Sequence, residues 1–227
     1  MLKKWNELPK DMQNPEVRKY YDILKKHKRS LAMKRGFDIF VSGVLLLVLW
    51  PVLLVLAIMI KVDSPGPVFF RQVRITSCGK RFRIYKFRTM VNHADKIGTQ
   101  VTTKGDARIT KVGKMLRGCR LDELPQLFNI LSGDMTLVGT RPEVEKYVSH
   151  YTDEMKATLL LPAGVTSQAS IKYKDEERLL ESAEDADKVY VELILPEKMK
   201  YNLQAIEKFS FWQDIKTMFE TVLAVIR

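Results

Sequence analysis

The longest apolar run extends from Phe37 to Ile60, 24 residues in which Asp38 is the sole charge. As a helix it is long enough to span a bilayer core of about 30 Å. It starts well inside the chain, is too long for a signal peptide and is followed by no small-residue cleavage pattern, so it predicts a lasting membrane segment. Trp50-Pro51 lies near its middle, where the missing N–H of Pro51 and the clash of its ring with the Leu47 carbonyl predict a kink. Lys34 and Arg35 precede the run, and Lys61 and a strongly basic stretch to Arg120 follow it. Positive flanks hold both ends on the cytoplasmic face. A helix that enters, breaks at Pro51 and returns to the same leaflet satisfies both features; an ordinary single-pass anchor with a tolerated proline is the alternative.

The membrane segment, residues 34–61, divides the chain. Residues 1–33 carry Trp5, Tyr20, Tyr21 and Ile23 among many lysines, and read either as a basic arm on anionic headgroups or as a loose tail. Residues 62–227 form a cytosolic domain, entered through the turn-rich Asp63-Ser64-Pro65-Gly66-Pro67. Val68 to Arg74 and Phe82 to Phe87 interleave apolar and basic residues around Cys78-Gly79-Lys80, predicting a β-hairpin. Alternation puts Phe82, Ile84 and Lys86 on one face, with Arg81, Arg83, Tyr85 and Phe87 on the other. Such a hairpin can present cations to a membrane or a phosphate. Near the C-terminus, Phe209, Phe211, Trp212, Ile215, Met218, Phe219, Val222 and Ile226 recur at three- and four-residue intervals, an amphipathic helix that packs on the core or lies in the membrane interface. The local signals add up to a mostly helical, membrane-associated α+β domain without a large sheet.

The stretch Leu116 to Pro142 carries the candidate chemistry. Pro125 is tolerated only in a first helical turn, so a helix is expected to start between Leu121 and Leu124 and to stop at Gly133. That puts Asp122 and Glu123 at a helix N-terminus, where dipole and free N–H groups favour negative charge and keep Asp122 ionised as a nucleophile or metal ligand. Arg117 and Arg120 precede the pair and Arg141 follows, so guanidinium groups can converge on a phosphate beside the carboxylates.

Charge sharpens this picture. The net charge is +11, but residues 1–120 hold 26 Lys/Arg against 8 Asp/Glu and residues 121–227 hold 12 against 19. A basic half of that size suits a polyanion: nucleic acid, an anionic lipid surface or a phosphorylated small molecule. Nucleic acid is disfavoured because no recognised binding motif is present and the cations interleave with apolar residues near the membrane segment. Cys78 and Cys119 match no metal spacing and read as reduced thiols, and His27, His93 and His150 are isolated surface or loop residues. The acidic stretch Asp175 to Asp187 reads as a solvated face.

Four segments in order, KRGFD at Lys34 to Asp38, SPGPVFFRQVR at Ser64 to Arg74, GKRFRIYKFRTM at Gly79 to Met90 and LDELPQLFNILSGDMTLVGTRP at Leu121 to Pro142, resemble the bacterial sugar transferases known as small monotopic phosphoglycosyl transferases. The resemblance runs from about Lys34 to Arg227. It implies a re-entrant helix broken at Trp50-Pro51 in one leaflet of the cytoplasmic membrane, with the catalytic domain facing the cytoplasm. It also implies transfer of a phospho-sugar from a UDP-sugar to polyprenol (undecaprenyl) phosphate, with UMP released and Mg²⁺ required, as the first membrane step of surface glycan assembly. By the same resemblance Asp122 is the attacking carboxylate and magnesium contact, Glu123 its partner, and Arg117, Arg141, Lys86 and Arg88 bind phosphate. Magnesium typically takes one or two carboxylates plus substrate phosphates, so it needs no cage of protein ligands. The chain departs from the family pattern at Thr140, where many members have proline, and at AGVTSQASIKYKDEE, which replaces a PGITG…QVNGR pattern. A membrane-tethered nucleic-acid-binding protein and an inactive scaffold of the same fold are the competing readings.

Overall fold

The computed structural model describes residues 1–92, 94, 106–174 and 185–226. The expected solvated face at 175–184 and His93 lie outside them. Among the described residues the architecture is mostly helical, with two separate two-stranded sheets.

The N-terminal arm is packed on the domain rather than a loose tail. Asn14 caps helix α1 (Pro15–Lys26), its side chain accepting from Val17 N at 2.8 Å. Val17, Tyr20, Tyr21 and Leu24, spaced three and four apart, are buried. They share the largest apolar cluster with Leu160, Leu195, Met199 and Leu203 of the domain. The lysines occupy the outer face, so the arm is an amphipathic strap on the core.

Helix α2 spans Lys28–Asp63 without interruption and holds Pro51 inside it. The helix that carries the apolar run therefore starts six residues before the expected segment, and helical backbone runs through Trp50-Pro51 where a break was expected. A proline removes one hydrogen bond from the ladder, whereas unwinding apolar residues would strand several backbone groups without water, so the helix persists through it. The most apolar eighteen-residue window of α2 has a mean hydropathy of 3.0, and Leu47, Val48, Trp50 and Leu54 are exposed. Its other face rests on the domain near both ends. Near the start, the buried Lys34 donates to Val138 O and Asp214 Oδ2 at 2.7 Å each, and Asp38 accepts from Thr136 Oγ1 at 2.5 Å and Leu137 N at 3.1 Å. Near the finish, Leu56 and Ile60 pack with Phe87 and Leu116.

The hairpin forms as expected. Strands β1 (Phe69–Ile75) and β2 (Arg81–Phe87) pair antiparallel. Phe82 and Ile84 are buried against Leu127, Ile130 and Met135, so the face they share with Lys86 turns inward, while Phe87 of the other face is buried against α2. Helices α3 (Lys111–Gly118) and α4 (Gln126–Ser132) follow, and Gly133 (φ 88°) ends α4 where the sequence placed its stop. The sequence did not mark the second sheet, a parallel pairing of β3 (Met135–Val138) with β4 (Ala163–Thr166). Helices α5 (Gln168–Lys172), α6 (Leu195–Glu207) and α7 (Phe211–Ile226) complete the chain. Helix α7 buries Thr217 and touches α2, β3 and α5, while Trp212, Phe219, Val222 and Leu223 point outward. It therefore packs on the core and keeps an apolar outer face.

Candidate active site

Asp122 and Glu123 lie on a 3-10 turn, Leu121–Glu123, between α3 and α4. The pair sits one turn ahead of the helix rather than inside it. Pro125 cannot donate to the Leu121 carbonyl, so the α-helical ladder begins only after the proline. Arg120 holds left-handed backbone (φ 55°) and turns the chain out of α3, a conformation uncommon outside glycine.

Three elements bring cations to this turn. Lys86 comes from the inward face of β2, and its Nζ donates to Glu123 Oε1 at 2.9 Å. Arg141 follows β3, and its Nη2 donates to the same oxygen at 2.5 Å while Nη1 lies 3.4 Å from Oε2. Arg117 is half-buried at the end of α3, where its charge acts on Asp122. That helix is set by the Thr110 cap, whose Oγ1 accepts from Gly113 N at 3.0 Å. It is also set by a close approach at Gly113, where a Cβ would sit 2.0 Å from Thr89 O.

The carboxylates differ in environment. Burial works to raise Glu123, but the Arg141 and Lys86 cations outweigh it and hold the carboxyl well below its ordinary range. Asp122 is 9% exposed and takes no hydrogen bond from the described residues. Burial pushes it up, with Glu123 adding to the rise and Lys86, Arg117 and Arg141 opposing. The pair precedes α4, and among the described residues no backbone N–H donates to the Asp122 oxygens, so the helix N-terminus expected to favour its charge does not bond it. Burial also lowers Lys86, against the pull of Glu123. One carboxylate is thus locked between cations, and the other is held beside them with neither oxygen hydrogen-bonded among the described residues.

Arg88 stands apart from this group. Its guanidinium donates to Ser64 O at 2.6 Å, Ser64 Oγ at 2.9 Å, Pro65 O at 3.1 Å and Ile60 O at 3.2 Å, capping the end of α2. Strand β2 ends at Phe87, so Arg88 leaves the face that Lys86 occupies and is bound to helix carbonyls rather than aimed at the carboxylates.

Two supports went unread in the sequence. The amide of buried Asn129 accepts from Tyr85 N at 2.8 Å and donates to Arg83 O at 3.0 Å, fastening α4 to the free edge of β2 and so fixing Lys86 relative to Glu123. Arg74 donates to Pro142 O at 3.1 Å, and buried Glu143 accepts from Tyr190 OH at 2.6 Å with Lys198 Nζ 3.7 Å away. Together they fix the segment that carries Arg141. Polar Gln126 and Asn129, three apart in an apolar helix and both 2% exposed, were the available signal for the first.

Among the described residues no three His, Cys, Asp or Glu side chains gather as a metal cage. Asp122 is the one carboxylate of the pair with oxygens to offer. The donor set fits a magnesium ion held chiefly by substrate phosphates and completed by one protein oxygen.

The Bacterial sugar transferase family model matches residues 29–227. The chain belongs to this family. Among similar proteins are the UDP-N-acetylgalactosamine-undecaprenyl-phosphate N-acetylgalactosaminephosphotransferase of Aeromonas hydrophila, 35% identical over 197 residues (86% of this chain, 44% of the relative), and the UDP-glucose:undecaprenyl-phosphate glucose-1-phosphate transferase of Klebsiella pneumoniae, 38% identical over 197 residues (85% and 40%). The Exopolysaccharide production protein PSS of Rhizobium leguminosarum bv. phaseoli is 51% identical over 112 residues (49% and 56%). The chain spans about two-fifths of the length of the first two relatives. The α1 strap lies ahead of the matched span, whereas the carboxylate turn, its three cations and both anchored ends of α2 lie within it.

Proposed function

We propose that the protein transfers a phospho-sugar from a UDP-sugar to undecaprenyl phosphate, with Asp122 as the nucleophile. The observation that carries this reading is the division between the two carboxylates: Glu123 is clamped by Lys86 and Arg141, while Asp122 is buried beside the same cations without a hydrogen bond from the described residues. In the first step an Asp122 oxygen attacks the β-phosphorus, the bond from that phosphorus to the bridging oxygen breaks, and UMP leaves with the bond's electron pair. In the second, a phosphate oxygen of the lipid attacks the same phosphorus, and the Asp122 carboxylate departs as the diphosphate-linked lipid forms. Lys86, Arg117 and Arg141 stabilise the charge on the phosphoryl oxygens in both steps. Magnesium, when bound, would neutralise diphosphate oxygens beside Asp122.

Seating in one leaflet is supported by the contacts of α2, and the cytoplasmic side by its basic flanks Lys34, Arg35 and Lys61. Lys34 and Ile60 are 26 residues apart, about 39 Å along a straight helix. A helix that crossed the bilayer would carry its two ends to opposite surfaces, yet both ends bind the same polar domain.

The test offers detergent-solubilised protein a panel of UDP-sugars with undecaprenyl phosphate and scores UMP. Multiple turnovers are expected only with both substrates and Mg²⁺ present, and are abolished by Asp122→Asn. Full turnover by Asp122→Asn would overturn the assignment.

A further inference from the structure

The hairpin carries a second cationic surface that the chemistry at Glu123 does not use. Residues paired across antiparallel strands share a face, and the register pairs Arg71 with Tyr85 and Val73 with Arg83. Lys86, which reaches Glu123, belongs to the opposite face. Between the Arg71/Arg83 face and the outer side of α4 runs an open groove of ≈ 700 Å³. Its cations are Arg71, Lys80, Arg81 and Arg83, against the single carboxylate Asp134. Lys80 pairs with Asp134 at 2.8 Å and Arg81 with Glu145. Arg71 and Arg83 have no carboxylate partner among the described residues. Arg71 instead lies over the Tyr85 ring at 4.2 Å.

The rest of the groove is aromatic and adjoins the membrane helix. Phe69 and Phe128 are 39% and 44% exposed, and Tyr85 touches both rings edge-on. Phe69 stacks on Phe87 at 5.6 Å, and Phe87 packs on Leu56 and Ile60 of α2. The groove therefore borders the apolar helix, with cations and half-exposed aromatics together, the composition of a bilayer interface.

We propose that this groove is a docking site for the headgroup phosphodiester of an anionic phospholipid, held between Arg71 and Arg83 with Phe69 and Phe128 against the upper part of its acyl chains. The uncompensated positive charge selects an anionic over a zwitterionic headgroup. The phosphate of the reacting lipid is a different occupant, because it must reach Asp122 on the Lys86 side of the hairpin.

The experiment reconstitutes the full chain into nanodiscs of equimolar phosphatidylglycerol and phosphatidylcholine, extracts it into mild detergent and counts retained lipids by native mass spectrometry. The wild type is expected to retain phosphatidylglycerol over phosphatidylcholine by about thirtyfold at low salt, the selectivity of two surface arginines, and by much less when the salt is raised to about 0.5 M. Arg71→Gln with Arg83→Gln removes the preference, each single variant removes part of it, and Arg71→Lys with Arg83→Lys keeps most of it. UMP release by the extracted protein stays unchanged in all of these. Equal retention of the two lipids by the wild type, or an undiminished preference in the Gln variants, overturns the proposal. A raised KM for undecaprenyl phosphate with the phosphatidylglycerol preference intact also overturns it, assigning the groove to the acceptor.

Discussion

Replacing Glu123 with glutamine isolates the clamp from the nucleophile. The substitution keeps shape and removes the charge that Lys86 and Arg141, whose side chains are 20% and 28% exposed, share. Breaking a fully buried ion pair typically costs about 3–5 kcal/mol. Because both cations keep some water, the loss expected here is nearer about 2–3 kcal/mol, measured by urea unfolding in detergent at neutral pH. The sign with pH follows from Glu123. Its folded carboxyl lies well below its ordinary value, so its contribution is present above the unfolded value of about 4.3 and disappears as pH falls through the folded one. Wild type and Glu123→Gln should therefore converge in stability on acidification. Adding Lys86→Met to Glu123→Gln should cost less than the two single losses combined, a coupling of about 1–2 kcal/mol. A Glu123→Gln variant as stable as wild type at pH 7, or a difference that does not change with pH, would refute the clamp.

Gly113→Ala should destabilise by about 1–3 kcal/mol despite the better helix propensity of alanine, because the new methyl meets Thr89 O at 2.0 Å. The displaced α3 should carry Arg117 with it and lower kcat; a more stable, fully active variant would remove this account of α3. In the strap, Leu24→Ala should cost about 2–5 kcal/mol by thermal or urea unfolding, whereas a loose arm would show no change. The acid limb of kcat/KM for UMP release should lie above the ordinary aspartate range, because burial raises Asp122 and the attacking form is deprotonated. It should move lower in Glu123→Gln, which removes a neighbouring negative charge.

Features fixed by local physics were legible in the sequence. Alternation about Cys78-Gly79 gave the hairpin and the face that Phe82, Ile84 and Lys86 share, and Gly133 gave the end of α4. Features decided by tertiary contact were not. The lysines of the arm drew attention from the spacing of Val17, Tyr20, Tyr21 and Leu24, and only the buried surface of α6 and its neighbours explains why that face folds inward. Four-residue strands 25 positions apart, β3 and β4, carry almost no local signal because each is stabilised by the other. Lys86 and Arg88 share a motif and diverge because β2 ends between them. Similarly, Asp122 and Glu123 are adjacent and chemically alike in the sequence. Their separation into a free and a clamped carboxylate depends on Lys86 and Arg141, cations that arrive from 37 residues before and 18 residues after Glu123.

Whether Asp122 itself takes the phospho-sugar is measured directly by a single-turnover reaction with β-phosphate-labelled UDP-sugar in the absence of lipid acceptor. A nucleophilic Asp122 predicts about one UMP released per wild-type protein and label retained on the denatured chain, mapping to Asp122. It predicts neither with Asp122→Asn, and loss of the label from wild type when undecaprenyl phosphate is added. UMP release that requires the acceptor, or label that persists in Asp122→Asn, would contradict it.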